Sequence, residues 1–153
     1  LDFEQTYWRN FLINAKVFHG VLDVLEEIRL LNIPVVAITD LTAQIQFRKI
    51  IYFGLDNYFD YVVTSEEAGI EKPNESIFQL ATRKINIDKP KIWMIGDNLE
   101  KDIIGAKLSV NAITLHKKHT GVKVEKNAKH TDLIFDSFSD IHYLLKSIKN
   151  EKK

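Results

Sequence analysis

A hydroxyl, an ammonium and a group of carboxylates stand at the ends of apolar segments in this chain. Thr39 closes Val35-Val36-Ala37-Ile38, Lys72 sits in Glu71-Lys72-Pro73, and Asp97 and Asp102 follow Ile92-Trp93-Met94-Ile95-Gly96. Brought to one place, such groups suit magnesium-dependent phosphoryl transfer. The hydroxyl can donate to a phosphoryl oxygen, the ammonium can offset charge that develops there, and carboxylates give a hard divalent cation the oxygen ligands it prefers. Each residue alone has a plainer reading: Thr39 as a helix cap, Lys72 as an exposed turn lysine, Asp97-Asn98 as a turn or cap. Their joint order and placement is what points to a site.

Placement follows from the elements. Tyr7, Trp8, Phe11 and Leu12 recur at a spacing of three and four, which predicts a helix over 3–13, and the same periodicity predicts helices over 20–31, 43–53, 76–85, 99–108 and 139–148. Short apolar runs predict strands over 33–38, 60–64, 91–95, 112–115 and 133–135. The β-branched run ending at Ile38 reads as a strand buried on both faces, which belongs to a parallel sheet covered by helices. The alternation is that of an α/β fold, a Rossmann-like doubly wound parallel sheet with right-handed crossovers. Ligands of such sheets sit beyond the carboxyl ends of the strands. Thr39, the loop after Thr64 that leads to Lys72, and Asp97 all lie at such ends and should meet in one crevice.

Composition narrows the class. The 153 residues, 45% of them apolar, suffice for one domain with a real core. Equal numbers of basic and acidic residues, 21 of each, argue against nucleic acid or an anionic membrane as partner. The lack of cysteine excludes a disulfide scaffold, thiolate catalysis and Cys-ligated zinc, and fits a cytoplasmic location. No apolar run approaches the length of a membrane span. The chain opens on Leu1 with neither Met nor a signal-peptide pattern, and reads as cut from a longer one. The stretch 116–131, with His116, His119, His130 and several lysines, reads as a solvated surface loop. The aromatic stripe of Tyr7, Trp8 and Phe11 reads as core or interface packing.

Ile38-Thr39-Asp40, Gly69-Ile70-Glu71-Lys72-Pro73 and Gly96-Asp97-Asn98-Leu99-Glu100-Lys101-Asp102 resemble motifs two, three and four of the haloacid dehalogenase-like hydrolases, over nearly the whole chain. Phe53-Gly54-Leu55, Tyr58-Phe59-Asp60 and Thr64-Ser65-Glu66-Glu67 resemble the linking stretch of its helical-cap subfamily, closest to the branch with pyrimidine 5′-nucleotidases. The resemblance implies a role for each matching residue. Thr39 would bond a phosphoryl oxygen, Asp40 or the backbone after it would line the same pocket, and Lys72 would neutralise the transferring group. Asp97 would bind Mg2+, and Asp102 would support the metal through water or orient Lys72. Lys101 stands where the family commonly has a small polar residue, a departure that leaves the mechanism alone.

The family's first motif is missing. There an aspartate attacks phosphorus and a second, two positions later, acts as general acid and base, yet no Asp-x-Asp pair occurs in the sequence. In the family that motif ends the central strand, between the strand ending at Thr39 and the one ending at Gly96, so its loss should leave two unpaired edges. Residues 1–18 then read as the remnant of a helical cap, 19–148 as the α/β core, and 149–153 as a polar tail. The expectation is the C-terminal part of a magnesium-dependent phosphomonoester hydrolase for a small phosphorylated metabolite such as a nucleotide or sugar phosphate, inactive alone and partnered by the missing segment or a second copy. The alternatives are a noncatalytic ligand- or partner-binding remnant, and a haloacid dehalogenase, against which Asp97 and Asp102 argue. A receiver-type signalling domain is excluded by residue order, since its acidic residues come first.

Overall fold

The strongly periodic segments become helices in the computed structural model, which describes residues 2–40, 42–88, 90–119 and 129–151. They are α1 (Asp2–Asn14), α2 (Val21–Leu30), α3 (Ala43–Tyr52), α4 (Ser65–Ala68), α5 (Glu75–Ile85), α6 (Gly105–Val110) and α7 (Phe138–Glu151), with a π-helical segment, Leu99–Ile104, leading into α6. The strands are β1 (Val36–Thr39), β2 (Tyr61–Thr64), β3 (Trp93–Gly96), β4 (Ile113–Lys117) and β5 (Leu133–Phe135). The end of the polar tail, and most of the middle of the stretch 116–131, lie outside the described residues.

All strand pairs are parallel, as expected, in the orders β1-β2 and β3-β4-β5. Val36 pairs with Tyr61 and Thr39 with Thr64; Trp93 pairs with Ile113 and Gly96 with His116; Leu115 pairs with Leu133. Among the described residues β1 and β3 do not pair with each other, so each has one edge without a strand partner. Helices cover both faces. On one, Val63 of β2, Ile77, Phe78 and Ala81 of α5 and Ala106 of α6 form a core that Val36, Ile38 and Met94 join. On the other, Val24 of α2, Leu115, Phe135, and Ile141 and Leu145 of α7 pack together with Ile95. Met94 and Ile95 thus face opposite sides, as neighbours on a strand must, and the doubly wound α/β reading holds.

Several boundaries differ from expectation for physical reasons. β1 starts three residues late, because Pro34 has no N–H to give a ladder and the Val35 N–H is taken by Asp60 Oδ2 at 2.7 Å. β4 runs two residues further, drawn on by its pairing of Lys117 with Phe135. Tyr7, Trp8 and Phe11 do not enter the core. They stack edge-to-face with centroids 5.4 and 5.6 Å apart, and Tyr7 and Phe11 stay exposed on an α1 that packs lightly against the rest.

Candidate active site

Lys72 carries the site. Its ammonium donates to Asp102 Oδ1 at 2.6 Å and to the Ile38 carbonyl at 3.2 Å, so a side chain from the loop after α4 joins the end of β1 to the segment after β3. The side chains of Lys72 and Asp102 are only 12% and 7% exposed, which removes the reading of Lys72 as a solvated turn lysine. The loop reaches that position through α4. Thr64 caps it by accepting from the Glu67 N–H at 3.1 Å, Gly69 ends it in the left-handed conformation, and the chain then turns toward Lys72. The Thr64-to-Glu67 spacing resembles half of a capping box, a signal from which this short helix was legible.

Asp102 is held from two sides. Its Oδ2 accepts from the Asn98 N–H at 3.1 Å, while the Asn98 side chain caps the segment by accepting from the Lys101 N–H at 2.8 Å. The Asn98 carbonyl receives both the Asp102 and the Ile103 N–H, the second being the wide π-type bond. Single π-turns of this kind recur at functional sites. Here the turn lets Lys101 and Asp102, which are consecutive, both reach into the site. Asp97, next to Gly96, stands at the mouth with its side chain 59% exposed. Burial works against its charge, but hydrogen bonding from His119 and from its own backbone, with the charges of His119 and Lys72, outweighs burial and holds its carboxyl below the ordinary value.

Asp40 has both oxygens engaged. Oδ1 accepts from the Lys72 backbone N–H at 2.9 Å and Oδ2 from the Lys101 ammonium at 2.9 Å. Its half-burial opposes ionisation, yet the Lys72 N–H and the Lys101 ammonium, with both lysine charges, prevail and lower its pKa. Lys101 also reaches Glu71 Oε2 at 3.3 Å. Thr39 ends β1 beside the Ile38 carbonyl that Lys72 grips. It is not the cap of α3: Thr42 holds that position, and the first N–H of that helix, on Ala43, goes to Glu66 Oε2 at 2.9 Å. All five expected residues, Thr39, Asp40, Lys72, Asp97 and Asp102, therefore gather at the carboxyl ends of β1 and β3.

Three site residues were missed. His116 is buried on β4, not solvated; its Nε2 lies 3.0 Å from the Asp97 carbonyl, so Nε2 carries the proton, and Nδ1 has no partner among the described residues. His119 Nε2 lies 2.6 Å from Asp97 Oδ2. The solvated-loop reading of these two histidines is thus corrected: β4 carries its register beyond Leu115 and delivers them to the strand end. Lys101 is the third. Among the described residues no group of three or more His, Asp or Glu side chains could hold a metal by itself. The carboxylates present nonetheless suit Mg2+ held jointly with substrate, since that ion is commonly bound by one or two carboxylates with substrate phosphate and water. Asp97 is the accessible carboxylate, whereas Asp102 commits both oxygens to Lys72 and Asn98.

The profile of the haloacid dehalogenase-like hydrolases matches residues 2–109. With more than half of its length matched and the motif residues gathered as above, the chain belongs to that family. It is 36% identical over 100 residues to a ribulose-1,5-bisphosphate 5-phosphatase of Halopiger xanaduensis, covering 65% of this chain and 42% of the relative. It is 38% identical over 87 residues to the pyrimidine 5′-nucleotidase YjjG of Escherichia coli, covering 56% and 38%. The crystal structure of a phosphatase of the family from Thermococcus onnurineus superposes with a TM-score of 0.79 at 23% identity, covering 90% of this chain and 61% of that one. The chain thus spans about two-fifths of the length of these curated relatives.

Proposed function

We propose that this chain carries the Thr, Lys and acidic parts of a phosphomonoester hydrolase that acts with Mg2+ on a small phosphorylated metabolite, such as a nucleotide or sugar phosphate. The observation that carries this reading is the buried Lys72–Asp102 pair set against the Ile38 carbonyl, with Thr39 and Asp97 on either side. The relatives named above, phosphatases of a sugar bisphosphate and of pyrimidine nucleotides, support the substrate class. Thr39 would donate to a phosphoryl oxygen. Lys72, oriented by Asp102, would offset charge on the group in transfer, the kind of preorganised stabilisation that lowers such barriers most. Magnesium, which Asp97 would hold, supplies further positive charge at the phosphoryl oxygens when bound. The attacking carboxylate is not among these residues, so the chain alone does not turn over substrate; a segment carrying the family's first motif would complete the site, while a second copy, which lacks that motif as well, would only cover the open strand edges. A cytoplasmic location belongs to the same reading, supported by the lack of cysteine; among the described residues no helix is long and apolar enough to cross a membrane.

The test is hydrolysis of a generic aryl phosphate by a protein in which this chain is joined to a segment carrying the family's first motif. Magnesium-dependent turnover is expected, with Asp97→Asn reducing it to background. Turnover that survives Asp97→Asn sinks the assignment; hydrolysis by the present chain alone overturns the reading that it lacks its nucleophile.

A further inference from the structure

Two lysines and two aspartates close a ring across three chain segments. The Lys72 ammonium holds Asp102, Asp102 follows Lys101 in the chain, the Lys101 ammonium holds Asp40, and Asp40 accepts from the Lys72 backbone N–H. Asp40 therefore touches the residue whose ammonium the site needs elsewhere, and its carboxylate feels the Lys72 charge. A half-buried carboxylate deprived of one partner takes the nearest available cation, because an unpaired charge away from water is costly. Besides Lys101, the cation whose charge reaches Asp40 is Lys72. The Lys101 side chain is 40% exposed, so its pairing adds little to stability as such. Its effect is to decide which carboxylate Lys72 serves.

We propose that Lys101 is a positioning residue: by neutralising Asp40 it keeps Lys72 on Asp102, aimed at the strand ends where a phosphoryl group would lie. The geometry stands alone; its consequence for phosphate rests on the proposed function. The Lys101 ammonium is bonded to Asp40 and Glu71, and Asp40 in turn to the Lys72 N–H, so its influence on Lys72 runs through Asp40.

The test follows the Lys72 ammonium by proton–nitrogen correlation NMR of lysine side chains, the signal being assigned by its loss in Lys72→Arg. The wild-type chain should show it as a slowly exchanging, ion-paired ammonium. Lys101→Met should shift or broaden it, Lys101→Arg should preserve it, and the double variant Asp40→Asn/Lys101→Met should restore it, because the amide that replaces the Asp40 carboxylate still accepts from the Lys72 N–H without competing for the ammonium. A signal unmoved by Lys101→Met, a double variant that stays displaced, or no held ammonium in the wild type overturns the proposal. A backbone amide spectrum checks that each variant is folded. A second measurement titrates inorganic phosphate with Mg2+. Lys101→Met should weaken binding by about tenfold, within the usual coupling of contacting residues, and the double variant should recover it. Should Lys72→Met leave phosphate binding unchanged, the phosphoryl-transfer reading fails while the ammonium spectra still judge the ring.

Discussion

Gly96 has no side chain because there is no room for one: a Cβ there would collide with the Cβ of Asp102 and lie 2.7 Å from its Oδ2. Gly96→Ala is therefore expected to push Asp102 off Lys72 and to cost about 1–3 kcal/mol, the usual range for overpacking, read as a lowered urea midpoint. The pair itself gives a sharper expectation. Removing one partner of a buried ion pair strands the other charge, so Asp102→Leu should destabilise by about 3–5 kcal/mol, while Lys72→Met/Asp102→Leu should regain most of it. A double variant no more stable than the single one would show that the ion pair is not the source of the loss. Residue types carried much of the site in the sequence, since Thr39, Lys72, Asp97 and Asp102 are the side chains the chemistry asks for. Lys101 and His119 escaped because their meaning lies in partners that only the fold supplies: Asp40 for one, Asp97 for the other, 22 residues away.

Helix and strand periodicity gave the long helices and even the three-residue β5, and lost α4 and the irregular turn before α6. The π-helical segment cannot be read from apolar spacing, since Leu99, Ile103 and Ile104 fit an ordinary helix equally well; it arises from the reciprocal hold between Asn98 and its successors. The return into β5 is likewise a matter of hydrogen bonds. Thr114, buried on β4, donates to the His130 carbonyl at 2.6 Å, and its N–H donates to Asp132 Oδ2 at 2.8 Å, while Lys107 pairs with the same carboxylate. Thr114→Val should cost about 1–3 kcal/mol, the penalty of leaving a buried polar group unpaired, and should speed amide exchange around residue 132. The hydrogen bond from Lys107, then that from the Thr114 N–H, hold the Asp132 carboxyl below its ordinary 3.8. In acid the unfolded chain therefore binds a proton at Asp132 before the folded chain does. Its contribution is present above that ordinary value and lost as pH falls through the lower native one. Asp132→Asn should accordingly flatten the fall in urea midpoint between about pH 5 and about pH 3; an unchanged slope would mean that other carboxylates set it.

At the scale of the whole molecule, two parallel sheets are held together with, among the described residues, no strand between them. Helices carry the connection: α5 packs beneath β1 and β2, and joins α6 through Phe78 and Ala106. Gly105 lets them close, since a Cβ there would meet Phe78 and Pro73 at 2.9 Å. Lys72 adds a polar tie from the Ile38 carbonyl to Asp102. This arrangement predicts an uneven distribution of protection. β4 is paired on both sides, by β3 and β5, whereas among the described residues β1 and β3 each have a single strand partner. Amides of β4 should open only with global unfolding, and those on the unpaired edges of β1 and β3 should exchange faster through local fluctuation. Unpaired edges also template association, so protection of β1 and β3 should rise with protein concentration as copies pair there, in step with a growing sedimentation coefficient. Uniform protection in a chain that stays monomeric would overturn this, since the β1 and β3 edges would then be closed within one molecule. Protection that instead appears only when the chain is joined to a segment carrying the family's first motif would assign the gap to such a segment, and with it the attacking carboxylate that the proposed reaction requires.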